Sequence, residues 1–271
     1  MLIYAARGAK LGHVESVRPN SADWSSPAAG RPVDLSVLVP AYNEEACLGA
    51  LVRETACVLH GQDKSFEILV VDDGSSDWTP RLLNNLRAEV DELRAVRLAQ
   101  NSGQSAALLA GFRAARGNIF VTLDADGQND PADIPALVAQ LDACDLCCGY
   151  RARRQDVWSK RLGSRLANAV RNRVLREKIR DTGCTLKAFR AEWAAHLPLQ
   201  FRGLHRFIPA LLAMAGARIS EIPVHHRPRA AGESKYTNWG RLKESLWDLW
   251  AVRWMQQRHR TIQTEPLRWT R

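Results

Sequence analysis

The sequence predicts an α/β protein built on a doubly wound, mostly parallel sheet and followed by an amphipathic C-terminal helix. Short apolar segments rich in β-branched residues alternate with helical segments between residues 34 and 150, which is the pattern of repeated βαβ units. Two of the predicted strands end in acidic residues, at Asp72 and at Asp124. Ligands bind at the carboxyl ends of the strands in such sheets, so the fold class also predicts where a site lies.

Each predicted strand is a short apolar run that ends at turn residues. The strands are expected at 35–39, 66–71, 93–98, 119–123, 146–150 and 219–224. The helices between them have apolar residues at three- and four-residue spacing. They are expected at 78–89, 103–114, 131–143 and 206–215, after a first helix that Asn43 caps. No GxGxxG sequence follows the first strand, which counts against a dinucleotide cofactor.

Composition divides the chain into three parts. Residues 1–32 show no sustained periodicity and contain several Gly, Pro and Ser residues, so we expect a poorly ordered arm. Residues 33–235 form the predicted α/β domain. Residues 236–271 hold a tryptophan-rich amphipathic helix and a tail.

The C-terminal helix is expected at 238–258, with apolar residues on one stripe. The stripe consists of Trp239, Leu242, Leu246, Leu249, Trp250 and Trp254. Tryptophan combined with Lys and Arg is typical of a helix that lies in a membrane interface. The same pattern also fits a helix packed on the core of the domain, and the sequence leaves both possibilities open.

The chain is basic, with a formal net charge of +9 over 271 residues. This charge predicts an anionic partner such as nucleic acid, phospholipid headgroups or a phosphorylated substrate. The densest basic segment spans 151–180, where apolar residues recur at helical spacing, so we expect an amphipathic basic helix there. No run of about eighteen apolar residues and no signal-peptide core are present, and we expect a cytosolic location.

The six cysteines fit reduced thiols in a cytosolic protein. Cys144-x-x-Cys147 could be a zinc or redox motif. It has no second Cys/His pair at zinc-finger spacing, however, and it lies at a predicted helix-to-strand junction. We therefore expect both cysteines to be packing residues.

The strand predicted at 119–123 is followed by three oxygen-bearing side chains, Asp124, Asp126 and Gln128. They point to the same side of an extended chain. Carboxylate and amide oxygens suit a hard divalent cation such as Mg²⁺ or Mn²⁺. A solvated acidic turn explains such residues equally well in isolation. The preceding buried strand and the helix opened by Pro131 favour the metal site.

Five segments, taken together and in this order, resemble family 2 glycosyltransferases of the GT-A fold, a Rossmann-like α/β fold. The segments are Pro40–Glu45, Val70–Ser75, Asp124–Gln128, Gly149–Arg151 and Gly232–Lys235. The last two are similar to motifs of the dolichol-phosphate mannosyltransferase-like branch. The segment Asp181–Lys187 follows the pattern of that branch only in part, and the C-terminal transmembrane helices of many bacterial relatives have no counterpart here.

The resemblance implies a metal-dependent transfer from a nucleotide sugar, GDP- or UDP-linked. The residues it assigns to the nucleotide sugar are Pro40, Tyr42, Glu44, Val70, Asp72, Asp124, Ala125, Asp126, Arg229 and Lys235. It assigns Asp124, Asp126 and Gln128 to Mg²⁺ or Mn²⁺. Arg151 is expected to act with the two aspartates in catalysis by closing on the phosphates.

The resemblance also implies an acceptor, a polyprenyl phosphate such as undecaprenyl or dolichyl phosphate. Arg161, Ser164 and Arg165 are the candidate contacts to its phosphate. We expect the enzyme to sit peripherally on the inner face of the cell membrane and to invert the anomeric centre. The phosphate is already ionised near neutral pH, so it needs positioning and charge compensation instead of a strong base.

Two alternatives remain open at this point. A family 2 transferase that adds sugar to a hydroxyl wants a carboxylate base near the acceptor, and Asp181 is the candidate in the second half. A basic nucleic-acid-binding module fits the net charge. It lacks an RNP-type strand motif and zinc-finger spacing, and acidic strand ends repel phosphates without a metal, so we expect no nucleic acid partner.

Overall fold

The computed structural model describes residues 31–152, 168–228 and 238–260. The predicted arm lies almost wholly outside these ranges. Arg161, Ser164 and Arg165, the candidate acceptor contacts, also lie outside the described residues, as do Arg229 and Lys235.

A seven-stranded mixed sheet forms the centre of the described structure, in the order β3-β2-β1-β4-β6-β5-β7. The strands are β1 Val33–Ala41, β2 Phe66–Asp72, β3 Leu93–Arg97, β4 Gly117–Thr122, β5 Leu146–Arg151, β6 Lys187–Arg190 and β7 Ile219–Val224. β6 is antiparallel to both of its neighbours, and every other adjacent pair is parallel. The predicted α/β fold with a mostly parallel sheet is confirmed.

The helices alternate with the strands. They are α1 Leu48–His60, α2 Thr79–Leu86, α3 Gln104–Ala114, α4 Ile134–Ala139, α5 at 168–175, α6 Ile208–Met214 and α7 Asn238–Arg258. The helix predicted at 131–143 is α4 with a single 3-10 turn on either side, Pro131–Asp133 and Gln140–Asp142.

Both faces of the sheet are buried, because alternate residues of β1 enter different hydrophobic clusters. Val37 and Val39 pack with α1 and α4 on one face. Leu38 packs with α3, α6 and α7 on the other. Strands buried on both faces are continuous apolar runs, which is why the sequence shows them clearly.

β6 is the strand that the sequence did not define. It has four residues, Lys187–Arg190, and the pattern there indicated a short strand or a helix start. Its position between β4 and β5 brings the preceding residues, Thr185 and Leu186, next to the end of β4. The antiparallel insertion therefore bears on the site described below.

The basic segment differs from the predicted amphipathic helix. Arg151 belongs to β5, and α5 ends before Arg176, whose φ of +56° takes the chain out of the helix. Arg171 is buried and lies 2.8 Å from Glu177. In the described part of this segment, the Arg171 side chain therefore points into the protein and forms an ion pair with Glu177. It does so because the helix packs against Phe207.

The apolar stripe predicted for α7 is split between a buried face and an exposed face. Leu249 and Val252 are buried against the domain. The tryptophan face, defined as Leu246, Trp247, Trp250 and Trp254, is exposed. Core packing is thus confirmed for one face of α7, and the other presents aromatic rings to the outside. In the described ranges, no helix combines the length and apolarity that a membrane span requires.

All six cysteines are free thiols, and Cys57 is the exposed one. Cys144 and Cys147 are buried, and burial raises the pKa of the Cys147 thiol to about 12. A thiol held in its neutral form is a poor zinc ligand and a poor nucleophile. Both residues pack in the hydrophobic cluster on the α1 and α4 face of the sheet, as expected for packing residues.

A buried carboxylate in the amino-terminal half of β2 is bonded to β1, to β3 and to Arg116, the residue before β4. Glu67 is 0% exposed and accepts hydrogen bonds from the Ser36 hydroxyl (2.6 Å), Arg94 (2.6 Å) and the Arg116 backbone N–H (2.6 Å). Burial acts to raise the pKa of Glu67, but these hydrogen bonds outweigh it and hold the pKa below its ordinary value. The network anchors the sheet at the edge opposite to the acidic strand ends.

We predict that Glu67→Gln lowers the free energy of unfolding by about 3 kcal/mol, because it removes one partner of a buried charge network. The loss relative to the native chain should be full at pH 7. This difference in the free energy of unfolding should become smaller as the pH falls below about 4.3. A carboxylate whose pKa is lower in the folded state stabilises the fold only while it is ionised. Urea denaturation at several pH values measures both effects.

Glu89→Gln is the matched control, because Glu89 pairs with Arg53 on the surface, where both side chains are about half exposed. It should change stability little. Equal losses in the two variants would contradict the assigned role of Glu67.

Candidate functional site

The acidic strand ends meet at one edge of the sheet. Ala41, the last residue of β1, pairs with Asp72, the last residue of β2, and Leu38 pairs with Thr122 at the end of β4. The loops that follow these three strands are therefore neighbours. Tyr42 and Glu44 lie in the first of them and are partly exposed.

Asn43 joins the loops after β1 and β2. It was expected to cap α1, but α1 begins at Leu48 without a side-chain cap, so that expectation is wrong. Asn43 has a φ of +54°, and its side-chain oxygen accepts the Ser76 N–H at 2.8 Å. Its own N–H donates to the Ser75 hydroxyl at 2.9 Å. Asparagine tolerates this left-handed conformation, which explains why the helix starts later.

Asp72 is 1% exposed, and its two carboxylate oxygens differ. Oδ1 accepts the Ser75 N–H at 2.8 Å. Oδ2 lies 3.3 Å from Arg97 Nε but has no hydrogen-bond donor among the described residues. A buried acceptor without a donor costs free energy, so this oxygen is a candidate contact for a donor group on a ligand.

Asp73 holds the start of α3. Its carboxylate accepts the Ser102 and Gly103 N–H groups, each at 2.8 Å, and the Asn101 side-chain amide at 3.1 Å. α3 has no side-chain cap of its own, because Gly103 occupies that position with a φ of +88°. A carboxylate that follows β2 therefore fixes the two residues that lead into this helix and places a negative charge near its N-terminus.

Asp124 is partly buried beneath α3. Its Oδ1 accepts a hydrogen bond from Gln104 Nε2 at 2.7 Å. Burial, and after it the charge of Asp126, raise the pKa of Asp124 to about 6. A hydrogen bond from Thr185, the charge of Lys187 and the Gln104 amide act in the opposite direction. Two carboxylates thus share a site that disfavours their combined negative charge.

A small cavity adjoins Asp124. It is lined by residues that include Pro40, Gln104, Thr185, Lys187 and His205. Lys187 is buried and donates to the Cys184 carbonyl. Burial lowers the pKa of His205 to about 3, so its imidazole is neutral, and Ser105 Oγ lies 2.8 Å from His205 Nδ1.

The chain after β4 turns instead of remaining extended. Residues 125–127 form a turn in which Gly127 has a φ of +70°, and the Gln128 N–H donates to Asp126 Oδ1 at 3.2 Å. The alternation argument that placed three side chains on one side is therefore corrected. The turn, and not an extended strand, brings Asp126 close to Asp124, and Gln128 follows it partly exposed.

Asp124 and Asp126 fit a divalent cation that keeps other ligands. Among the described residues, no cluster of three or more His, Cys, Asp or Glu side chains is placed to hold a metal alone. Mg²⁺ is commonly bound by one or two carboxylates together with water and substrate phosphates. Relief of the repulsion that raises the Asp124 pKa is the physical reason for a cation at this pair.

The segment that leads to Arg229 and Lys235 is attached beside this turn. His226 forms an isolated antiparallel bridge with Asn129, and the Arg227 N–H donates to the Gln128 carbonyl at 2.8 Å. The Arg227 guanidinium contacts Glu54 on α1 at 2.7 Å and Asp130 at 2.8 Å. The described chain that precedes Arg229 therefore runs next to Gln128.

Arg151 is engaged with a carboxylate. Its guanidinium donates to both oxygens of Asp181, with Nε–Oδ2 at 2.7 Å and Nη2–Oδ1 at 2.9 Å. Asp181 also accepts the Gly183 N–H at 3.1 Å. The pair is mostly buried. A carboxylate in a bidentate ion pair is stabilised in its charged form and is a weak proton acceptor.

Two of the expected nucleotide-sugar residues point into the core. Val70 is 0% exposed and Ala125 is 4% exposed, and both belong to the first hydrophobic cluster. Their side chains pack in the core, and the nucleotide-sugar role expected of these two residues stays a prediction. Pro40, by contrast, lines the cavity beside Asp124.

Sequence reasoning missed Gln104, Thr185 and Lys187. Gln104 is the first residue of a helix of small residues, and Thr185 and Lys187 border the four-residue strand β6. A local pattern carries no signal for these contacts, because each joins Asp124 to a residue at least twenty positions away.

Solved structures with the same fold share this architecture. The chain is similar to glucosyl-3-phosphoglycerate synthase from Mycobacterium tuberculosis, solved with Mn²⁺, uridine diphosphate and phosphoglyceric acid: the identity is 20%, 85% of each chain is covered and the TM-score is 0.61. It is also similar to S. aureus TarS 1-349 in complex with UDP-GlcNAc, at 21% identity, with 82% of this chain and 66% of that chain covered and a TM-score of 0.56.

A family model described as glycosyl transferase family 2 matches residues 36–197. The matched part includes β1 to β6 and holds Asp72, Asp124 and Asp126, and it covers more than half of the chain. The chain therefore belongs to glycosyl transferase family 2 and is a glycosyltransferase that uses a nucleotide sugar.

Proposed function

We propose that this enzyme transfers a sugar from a UDP- or GDP-linked donor to a polyprenyl phosphate at the cytoplasmic face of a membrane, as in the dolichol-phosphate mannosyltransferase-like branch. The observation that carries the proposal is the distribution of charge. Carboxylates converge where the diphosphate of the donor needs a cation, whereas the candidate base, Asp181, is tied to Arg151.

The donor half rests on the strand ends. Asp72 Oδ2 is the buried acceptor that lacks a donor, and a ribose hydroxyl or a base N–H supplies one. Tyr42 in the neighbouring loop offers a ring on which a base can pack. The M. tuberculosis enzyme, which has the same fold, was solved with uridine diphosphate and Mn²⁺ or Mg²⁺, which supports a nucleotide and a divalent cation here.

Asp124 and Asp126 would hold Mg²⁺ or Mn²⁺, with Gln128 as a candidate third ligand. A bound cation of this kind neutralises negative charge on a diphosphate leaving group. The residues around Asp124 do the remaining work. Gln104 and Thr185 fix the orientation of the carboxylate, and Lys187 adds positive charge behind it.

The acceptor half rests on the chemistry of the nucleophile. An ionised phosphate oxygen attacks the anomeric carbon, the bond from that carbon to the diphosphate oxygen breaks, and the nucleoside diphosphate leaves with the electron pair. One displacement inverts the anomeric centre. The nucleophile carries no proton that must be removed near neutral pH, so the engagement of Asp181 with Arg151 does not obstruct the reaction.

The proposed docking to a membrane rests on α7 and on the net charge of the protein. Trp247, Trp250 and Trp254 are 77%, 63% and 60% exposed on one face of a helix that is anchored to the domain by its other face. Exposed tryptophans on a basic protein suit the interface of an anionic bilayer. A polyprenyl chain stays in lipid, so the enzyme must reach its phosphate from that interface.

A second candidate acceptor is a phosphorylated small molecule with a free hydroxyl. The specific observation in its favour is the similarity to an enzyme solved with phosphoglyceric acid. This reaction requires removal of a proton from the hydroxyl. Asp181 would have to leave its ion pair with Arg151 to accept it, which ranks this candidate second.

The deciding experiment offers a panel of UDP- and GDP-sugars, with Mn²⁺ or Mg²⁺, to undecaprenyl phosphate in liposomes and to 3-phosphoglycerate in solution. We expect a glycosylated lipid phosphate by mass spectrometry. Product from phosphoglycerate alone would establish the second candidate and contradict the first.

We predict that Asp124→Asn and Asp126→Asn each lower the rate of sugar transfer by about 100-fold or more, because each variant removes a negative charge that would attract the cation. The metal-free protein should keep its thermal midpoint, since an amide relieves the repulsion between the two carboxylates. Asp142→Asn, at an exposed aspartate, is the control. Transfer at the native rate in either site variant would contradict the metal role.

We predict that replacing Trp247, Trp250 and Trp254 with Gln releases the enzyme from anionic liposomes in a flotation assay without unfolding it, because the three rings are exposed. Trp78→Gln is the matched control, since Trp78 and Trp250 are each 63% exposed. Flotation that is unchanged in the triple variant would contradict membrane docking through α7.

A further inference from the structure

We infer that Gln104 is a positioning residue that sets the orientation of Asp124 toward the cation, and that Asp73 controls Gln104 through Ser102 and Gly103, the two residues that lead into α3. This inference rests on the proposed metal-dependent function. It adds two residues to which the family resemblance assigned no role.

The contact between Gln104 and Asp124 is direct. Gln104 Nε2 lies 2.7 Å from Asp124 Oδ1, at the edge of the cavity that both residues line. An amide N–H bonded to one carboxylate oxygen restricts the rotation of the group and so sets the direction in which the carboxylate faces a cation. Groups that orient a metal ligand in this way change metal affinity without touching the metal.

Gln104 is placed by the residues before it. It is the first residue of α3, and Asp73 accepts the N–H groups of Ser102 and Gly103, each at 2.8 Å. Asp73 is 4% exposed, and these bonds reach across from the end of β2. A shift of this turn would move the Gln104 side chain relative to Asp124.

The turn after β2 and the turn before α3 are in close contact, so Asp73 has little freedom to move. A Cβ added at Gly74 would lie 2.7 Å from the backbone N of Asn101, so only glycine fits this approach. On the opposite side of α3, Ser105 Oγ lies 2.8 Å from His205 Nδ1. The start of α3 is therefore held from two directions, by Asp73 at the two residues before the helix and by His205 at Ser105.

The test measures Mn²⁺ affinity by electron paramagnetic resonance in the presence of UDP and, separately, GDP. Gln104→Met keeps side-chain length and removes the amide. We expect it to weaken Mn²⁺ binding by about 10- to 100-fold, while the thermal midpoint of the metal-free protein stays close to native. Gln100→Met, on the exposed approach to the same helix, should bind Mn²⁺ as the native chain does.

Asp73→Asn should weaken Mn²⁺ binding as well, because an amide cannot accept both N–H groups in the same way. Asp77→Asn is its control, since Asp77 accepts the Thr79 N–H at the start of α2 instead. In the double variant with Gln104→Met, Asp73→Asn should cause no further loss of Mn²⁺ affinity. Residues that act through one another are non-additive, whereas a general structural effect would add.

Native Mn²⁺ affinity in Gln104→Met, or additive losses in the double variant, would overturn this inference and leave the proposed function standing. A native chain that binds no Mn²⁺ with either nucleotide would overturn the proposed function and the inference together. The two failures are therefore distinguishable.

Discussion

Repulsion between two carboxylates at the end of β4 is the constraint on which the site depends. Asp124 and Asp126 lie close together in a partly buried position, and burial and mutual charge raise the Asp124 pKa to about 6. The chain offsets part of this cost with Gln104, Thr185 and Lys187. In the proposed function a divalent cation would remove the remainder, so the same arrangement that is unfavourable alone would suit a diphosphate with its metal.

The scaffold around the pair is assembled from elements far apart in sequence. The antiparallel strand β6 brings Thr185 and Lys187 to the end of β4, and Thr122 and Asn129 both hydrogen-bond to Thr185. α3 brings Gln104 from the other side. Glu67 accepts hydrogen bonds from three residues at the opposite edge of the sheet, so the strand ends that carry the site extend from a rigid base.

The acidic strand ends, the Arg151–Asp181 ion pair and the tryptophan face of α7 lie in three different regions of the described structure. The acidic residues lie after β2 and β4. Arg151, the last residue of β5, and Asp181 neutralise each other. The tryptophan face of α7 belongs to a third region, the outside of the second hydrophobic cluster. In the proposed reaction the acidic strand ends serve the nucleotide sugar and the tryptophan face serves the lipid surface.

The sequence by itself determined the α/β class, six of the seven strands and the position of Asp72, Asp124 and Asp126 at strand ends. These features are local, because a strand buried on both faces is a continuous apolar run with turn residues after it. Tertiary structure alone decided that Asn43 joins two loops, that Arg151 pairs with Asp181, that Val70 faces the core and that Gln104 reaches Asp124. Each of these depends on residues brought together by sheet order and helix placement, and periodicity along the chain contains no record of such contacts.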